Sequence, residues 1–210
     1  MPSRRQRQMC IRDRSNKRVL MIGTDMAAGK MTVGLELYSY LRNKNVNVGF
    51  VATGQVGITV TGAGIPLDAY KLDHACGAVE SAVMDQADKD LVIVEGQGSI
   101  LHPGSSATLP LMRGTCPTHM ILCHIARNNS LRSLEKIKIP DLKKFIDLNE
   151  QVASVIGIYP DAKVIGVALN TLQMENNEAL EMIKKVEENT GLPSTDVIRY
   201  GGDKIFDELL

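Results

Sequence analysis

The stretch that decides the fold reads VLMIGTDMAAGKMT and occupies residues 19–32. Its first four residues are apolar and predict a buried strand, and apolar side chains recur at helical spacing after Lys30. A glycine-bounded loop between a strand and a helix turns backbone N–H groups inward, and the helix N-terminus adds unpaired donors and partial positive charge. We therefore predict that this loop binds phosphate, with Lys30 contacting the phosphate oxygens. The alternative is a glycine-rich turn that merely precedes a helix.

The loop departs from the common phosphate-binding pattern G-x-x-x-x-G-K-[ST] at two positions. Thr24 stands where the first glycine is expected, and Met31 replaces the hydroxyl residue that holds Mg²⁺. Thr32 comes one residue later, and one residue rotates a helix by about 100°, so we expect a weak or absent metal site. The candidate cofactor-binding residues of the loop are Gly23, Thr24, Asp25, Ala27, Ala28, Gly29, Lys30, Met31 and Thr32.

Composition places the chain among ordinary globular proteins. Its 210 residues are 44% hydrophobic, which suffices for one large buried core. No apolar run is long enough to cross a membrane and no secretory signal is recognisable, so we expect a cytoplasmic protein without a membrane partner. The four cysteines form no C-x-x-C pair, which favours reduced thiols and predicts no zinc site.

The formal net charge of zero averages two unlike segments. Residues 1–18 hold seven basic side chains and one acidic one, which leaves 17 basic and 23 acidic side chains in the rest of the chain. An acidic body disfavours a nucleic-acid partner, so we expect a small-molecule substrate. We interpret residues 1–16 as a non-native or disordered basic leader that resembles translated adapter sequence, and residues 17–210 as the folded domain.

Strand and helix patterns alternate along the chain without an internal repeat. Apolar runs predict strands at residues 19–22, 46–52, 91–94, 120–124, 163–169 and 197–200. Helices are predicted over residues 30–42, 67–87, 176–189, from about 140 to before 157, and at the C-terminus. This alternation predicts an α/β domain with a doubly wound, mostly parallel sheet and helices on both faces.

Two residues near the carboxyl ends of the strands are candidate catalytic groups. Glu95 follows a wholly apolar strand, where an acidic group can accept a proton or bind Mg²⁺; an ion pair with Lys30 is the alternative. His102 lies in a loop, and an unperturbed imidazole titrates at about pH 6.5, so it is a candidate general base. A histidine that caps backbone groups of its own loop is equally compatible with the pattern.

Four further residues are candidate substrate contacts: Gln55, Ser99, His124 and Arg127. Arg127 can grip a carboxylate bidentately, whereas a hydrogen-bonded core histidine is the favoured interpretation of His124. Ser99 lies in G-Q-G-S, which is not a nucleophile elbow. Asn170 follows a strand and is a candidate cofactor contact to a purine edge, although a turn-forming asparagine fits equally well.

Five segments occur together in the order of a known family: residues 23–32, 50–58 (FVATGQVGI), 94–103 (VEGQGSILHP), 122–124 (LCH) and 166–171 (GVALNT). The chain resembles the C-terminal P-loop domain of the D-glutamate N-acetyltransferase family over about residues 17–210. It is more distantly similar to dethiobiotin synthetase, which has Thr where this chain has Met31. The resemblance implies a P-loop NTPase-like fold and predicts that the family's additional N-terminal α/β domain is absent.

The resemblance also implies the transfer of an acetyl group from acetyl-CoA to the amine of D-glutamate. The loop would hold the CoA phosphates, His102 or Glu95 would take the ammonium proton, amides of residues 96–99 would stabilise the oxyanion, and Arg127 would pair with a substrate carboxylate. The first alternative is an ATP- and Mg²⁺-dependent ligase or kinase with Asn170 on adenine. The second is a nucleotide-binding module without turnover. We expect a homo-oligomer.

Overall fold

A six-stranded parallel sheet forms the centre of the protein, which a computed structural model describes over residues 15–210. Its strands are β1 (Lys17–Gly23), β2 (Val48–Val51), β3 (Leu91–Val94), β4 (His119–Ile125), β7 (Lys163–Asn170) and β8 (Ser194–Thr195). They lie side by side in the order β2-β3-β1-β4-β7-β8. The chain therefore winds from β1 first to one side and then to the other, and ligands of such sheets bind at this reversal point.

Helices cover both faces of the sheet, as the sequence predicts. The longer helices are α1 (Lys30–Asn43), α3 (Leu72–Met84), α4 (Thr108–Thr115), α5 (Leu142–Ser154) and α6 (Asn176–Thr190). Apolar residues of α3, α4, α5 and α6 pack on one face, and those of α1 and the short C-terminal helix α7 (Asp203–Phe206) pack on the other. The doubly wound prediction is confirmed.

Strand β1 is buried along its length because neighbours flank it on both sides. Its residues pair in parallel with β3 from Lys17 to Leu20 and with β4 from Val19 to Gly23. Val19 and Met21 point into the core beneath α1, and Leu20 and Ile22 point into the opposite core. Apolar side chains on both faces are typical of a central parallel strand, and they fix the start of the loop that follows Gly23.

A two-stranded antiparallel hairpin leaves the sheet between β4 and α5. It consists of β5 (Ser130–Leu131) and β6 (Leu134–Lys138). Leu131 is fully buried at its base, whereas most of β6 is exposed. The sequence analysis did not find this hairpin.

Two predictions about secondary structure are wrong. The predicted strand at residues 197–200 is a turn, because the Asp196 carboxylate accepts hydrogen bonds from the amides of Ile198 and Arg199 and holds the chain out of the sheet. The predicted helix over residues 67–87 is divided: a single 3₁₀ turn (Leu67–Ala69) precedes α3, which begins at Leu72.

The short helix α2 (Gln55–Thr61) and helix α4 were not predicted. The predicted leader, residues 1–16, lies outside the described residues except for its last two. Within residues 15–210, no helix is both long enough and apolar enough to cross a membrane.

Candidate phosphate-binding site

The loop after β1 has the geometry of an anion cradle. Ala27 and Gly29 both adopt left-handed backbone conformations, with φ of 52° and 104°, which curl the chain before α1 begins at Lys30. Such a conformation is costly for a residue with a Cβ and is found at sites where the surroundings impose it. Within residues 15–210, the amides of Gly29, Lys30 and Met31 have no protein acceptor, so they remain available to a bound anion.

Lys30 lies at the centre of this cradle. The side chain is only 6% exposed, and its Nζ donates to the carbonyl oxygen of Asp25 at 2.8 Å. Burial lowers the pKa of this ammonium, while Cys123, Asp25 and Glu95 act in the opposite direction. A cation that is desolvated in this way gains most from an anionic ligand, because a phosphate restores the interactions that burial removed.

Two glycines leave room for the lysine side chain because they carry no Cβ. A Cβ on Gly23 would lie 2.9 Å from Lys30 Nζ. A Cβ on Gly96 would lie 1.7 Å from the carbonyl oxygen of Met21 in β1. Glycine at these two positions therefore allows β1, β3 and the lysine side chain to meet.

Asp25 and Thr24 support the loop through their side chains. Asp25 is 3% exposed, and its two carboxylate oxygens accept from the amides of Met26 and Arg132, each at 2.7 Å. Thr24 Oγ1 lies 2.9 Å from Nδ1 of His124. Burial lowers the pKa of His124 to about 4, so the imidazole is neutral at pH 7 and acts as a hydrogen-bonded core residue.

Glu95 follows β3 and is 4% exposed. Its Oε2 accepts from the amides of Thr53 at 2.8 Å and Gly54 at 3.1 Å, and Oε1 faces Nε2 of Gln97 at 3.4 Å. In the described part of the chain it forms no ion pair with Lys30, so the alternative of such a pair is wrong. One carboxylate oxygen is thus fixed by backbone, and the other is turned towards the neighbouring amide side chain.

Ser99 is a buried structural residue. Its hydroxyl donates to the carbonyl oxygen of Thr24 at 3.0 Å, and its amide donates to Oγ of Ser105 at 3.2 Å. Ser105 in turn contacts Thr108, whose hydroxyl donates to the carbonyl oxygen of Gln97 at 3.1 Å. These bonds tie the loop after β3 to the phosphate-binding loop, and they use the Ser99 amide that was expected to help stabilise an oxyanion.

A cavity of about 810 Å³ opens between these loops. Among the predicted site residues, those that line it are Ala27, Gly29, Lys30, Met31, Thr32, Gln55 and Glu95. Among residues 15–210, Lys30 is the one cationic residue of the lining, and Glu95 and Asp68 are its two carboxylates. The described lining therefore carries one positive and two negative side chains, and Glu95 lies near enough to Lys30 to oppose the lowering of its pKa by burial.

The structure does not bring the other predicted contacts to this cavity. Arg127 forms an exposed ion pair with Glu178 of α6 at 2.7 Å, and Asn170 Oδ1 accepts from the amide of Leu172 at 3.1 Å, as a turn residue does. His102 is half-buried, and its Nδ1 accepts from the amide of Gly104 at 3.1 Å. In the neutral imidazole this bond places the proton on Nε2, which leaves no free basic nitrogen.

Several cavity residues were missed by the sequence analysis. Thr53 and Gln97 flank Glu95, Asp68 accepts from Gln55 Nε2 at 2.7 Å, and Ser105 also lines the cavity. Thr53 and Gln97 lie within the motifs at residues 50–58 and 94–103. Their positions just after predicted strands could have identified them as site residues. Asp68 and Ser105 carry no comparable signal, because long loops bring them to the cavity.

No group of three or more His, Cys, Asp or Glu side chains in residues 15–210 is arranged to hold a metal ion.

Residues 6–206 match the model of DUF1611, a domain of unknown function described as a P-loop domain (DUF1611_C). The chain belongs to the DUF1611 family. It is similar to D-glutamate N-acetyltransferases from Tritonibacter scottomollicae (35% identity over 93% of this chain and 59% of the relative) and from a Pseudoalteromonas species (34%, 91% and 58%). The chain thus spans less than two thirds of the length of these relatives.

Solved structures agree with this assignment. A DUF1611 family protein from Anabaena variabilis superposes with a TM-score of 0.93 at 43% identity, over 95% of this chain and 59% of the other. Cobyrinic acid a,c-diamide synthase from Mycobacterium smegmatis, solved with ADP and magnesium, superposes with a TM-score of 0.55 at 12% identity, over 92% of each chain. The second likeness shows the fold alone, which is that of P-loop NTPases.

Proposed function

We propose that this domain binds the phosphates of acetyl-CoA and serves an N-acetyltransferase that acts on the amine of D-glutamate. The observation that carries the proposal is the buried Lys30, which faces an 810 Å³ cavity at the N-terminus of α1. Relatives at 34–35% identity that bear this enzyme name support the choice of reaction.

The residues present fit a pyrophosphate group. The amides of Gly29, Lys30 and Met31 and the Lys30 ammonium would hold its oxygens, since helix N-termini and lysines are established phosphate binders. Met31 provides no hydroxyl for Mg²⁺, and binding of CoA needs no metal at this position. When bound, acetyl-CoA would supply an acyl group activated as a thioester.

We assign the proton-accepting role to Glu95 in preference to His102. Glu95 lines the cavity, and its Oε1 is the carboxylate oxygen not held by the Thr53 and Gly54 amides. Glu95 would remove a proton from the substrate ammonium, and the freed amine would attack the acetyl carbonyl. The C–S bond of the thioester would then break, and CoA would leave as a thiolate that takes up a proton. Gln97, which lies beside Glu95, would orient that carboxylate. Asp68, which also lines the cavity, would attract the ammonium group.

The first test is binding of CoA by the purified protein, measured by isothermal titration calorimetry without Mg²⁺. Replacing Lys30 by Met keeps the aliphatic stem but removes the charge, and we expect affinity to fall at least tenfold because a charge-assisted contact to phosphate is lost. Lys184→Met is the matched control, since Lys184 is exposed on α6. Unchanged CoA affinity in Lys30→Met would remove the loop from the proposal.

Turnover is tested by following free thiol during incubation with acetyl-CoA and either enantiomer of glutamate. Glu95→Gln retains an oxygen that can accept from the Thr53 and Gly54 amides, so we expect CoA binding to persist while kcat falls at least a hundredfold. Binding of Mg-ATP but not of CoA would instead favour the ATP-dependent ligase. Stabilisation by a nucleotide without any product would favour the non-catalytic module.

A further inference from the structure

The β5–β6 hairpin is attached to the phosphate-binding loop at one point. The turn between its strands places the amide of Arg132 2.7 Å from Oδ2 of Asp25. Asp25 is 97% buried, and its other oxygen is bound to the amide of Met26, which itself lines the cavity. Because a hydrogen bond from a backbone amide to a carboxylate fixes the backbone and leaves the side chain free, the position of Arg132 beside the loop is set independently of its guanidinium group.

The guanidinium of Arg132 has no partner in the described chain. Across residues 15–210 it takes part in no hydrogen bond, ion pair or ring contact, and the residue is exposed. Arg127, by contrast, is paired with Glu178, and Arg113 donates to the carbonyl oxygen of Val152. Arg132 is therefore an arginine that is held next to the phosphate-binding loop by its backbone and has its five donors unused.

The charge balance of the cavity leaves a role for such a group. In the part of the chain that the structure describes, its lining holds one cation, Lys30, against the two carboxylates Glu95 and Asp68. A pyrophosphate carries at least two negative charges, and Met31 offers no ligand for a metal ion that would neutralise them. A second cation close to the loop would compensate this charge, and arginine matches the geometry of phosphate oxygens bidentately.

We propose that Arg132, from its place beside the loop, binds a phosphate of the cofactor, and that Asp25 is the positioning residue that holds its backbone there. The proposal rests on the proposed binding of CoA and adds a residue from outside the strand-loop-helix motif. It also explains why an acidic side chain stands inside a loop that binds anions. Both oxygens of Asp25 are committed to amides, so its charge serves the hairpin and the loop backbone and is not presented to the ligand.

The test compares Arg132→Gln with Lys136→Gln by titration calorimetry. Lys136 is an exposed lysine on the same hairpin, and it forms no hydrogen bond to Asp25. We expect Arg132→Gln to weaken CoA binding about tenfold, as loss of a charged hydrogen bond does, and Lys136→Gln to leave it unchanged. The titration is repeated with 3′-dephospho-CoA: an equal loss for both ligands identifies the pyrophosphate, and a loss for CoA alone identifies the 3′-phosphate.

A double-mutant cycle tests the role of Asp25. Asp25→Ala removes both acceptor oxygens, so the hairpin loses its attachment and we expect CoA affinity to fall. The loss should be smaller when Arg132 is already Gln, because both substitutions remove the same contact. Additive losses would overturn the positioning role, even if each variant alone binds CoA more weakly.

Two results would overturn the proposal. The first is unchanged CoA affinity in Arg132→Gln, including the case in which the KM for D-glutamate rises instead, and the second is an equal loss of CoA affinity in Lys136→Gln. Suppose that the unaltered protein binds CoA, that Lys30→Met binds it more weakly, and that Arg132→Gln binds it as tightly as the unaltered protein. The proposed function then stands, and only the role of Arg132 fails. If the unaltered protein binds no CoA, the proposed function fails first.

Discussion

The side chains around the phosphate-binding loop are bound mainly to the protein's own backbone. Asp25 accepts from two amides, Glu95 accepts from two more, and Ser99 donates to the carbonyl oxygen of Thr24. Buried charges are retained where such bonds offset their loss of hydration. The consequence is a loop whose shape is set before any ligand arrives, so that binding costs little reorganisation.

His124 should make the stability of the protein depend on pH. Its imidazole is 7% exposed, and burial lowers its pKa to about 4 from an ordinary value of 6.5. As pH falls below about 6.5, the unfolded chain takes up a proton that the folded imidazole refuses until about pH 4, so stability decreases across this window. We expect a loss of about 2 kcal/mol in the free energy of unfolding between pH 7 and pH 5 from this residue.

The measurement is urea unfolding at pH 7 and pH 5 of the unaltered protein and of His124→Asn. The variant has no group that titrates at this position. Its free energy of unfolding should therefore decrease between pH 7 and pH 5 by about 2 kcal/mol less than that of the unaltered protein. Identical pH dependence in both proteins would mean that the folded imidazole titrates normally.

Spacing in the sequence was enough to predict the strand-loop-helix arrangement and the position of Lys30 at the start of the helix, because a strand, a glycine and a lysine in this order leave few arrangements. It was not enough for Arg127, whose partner Glu178 lies 51 residues further along the chain. The position of Arg132 depends on a hairpin that no apolar periodicity indicates. Side-chain partners of this kind are set by tertiary contacts, which a single sequence does not encode locally.

At the level of elements, apolar runs correctly predicted the central strands. Some short segments, however, adopt a structure other than the one that their composition favours. The segment QVGITVT, rich in β-branched residues, forms helix α2 with Val56 and Val60 exposed. Its ends are fixed by contacts outside the segment, since the amide of Ile65 donates to the carbonyl oxygen of Ala52 and that of Leu67 to Thr53. Tertiary anchoring of this kind overrides the weak β propensity of a seven-residue segment.

Gly96, two residues after the end of β3, packs closely against β1. Alanine at Gly96 and alanine at Gly77 should therefore change the stability of the protein in opposite directions. In Gly96→Ala the new Cβ would lie 1.7 Å from the carbonyl oxygen of Met21, and neither backbone can move without breaking strand pairing. We expect a loss of at least 3 kcal/mol in the free energy of unfolding, since overpacking against backbone cannot relax as a side chain would. Gly77→Ala in α3 is the control, because its Cβ would meet nothing within 4 Å.

Urea unfolding of both variants checks this prediction. Gly77→Ala should raise the free energy of unfolding by about 0.5–1 kcal/mol, as replacing glycine in a helix does. A Gly96→Ala protein as stable as the unaltered one would show that β1 and the end of β3 are not in direct contact.

In the whole molecule, the two faces of the sheet are covered by unequal numbers of helices. Four helices pack on one face, and on the other α1 packs beside Val197 and the short C-terminal segment from Gly202 to Leu209. In that segment Ile205 packs over Gly166 of β7, and Phe206 is 1% exposed against Tyr40 of α1. A helix of four residues is not stable alone, so its order must come from this packing.

We therefore expect the C-terminal segment to unfold together with the sheet. Phe206→Ala should lower the free energy of unfolding by about 3–5 kcal/mol, as truncation of a buried aromatic ring does, with the urea m-value unchanged. Leu210→Ala is the control at the same end of the chain, because Leu210 is 59% exposed. If the segment instead frays independently of the sheet, Phe206→Ala will cost less than about 1 kcal/mol, and amides of residues 203–206 will exchange with solvent far faster than those of β1.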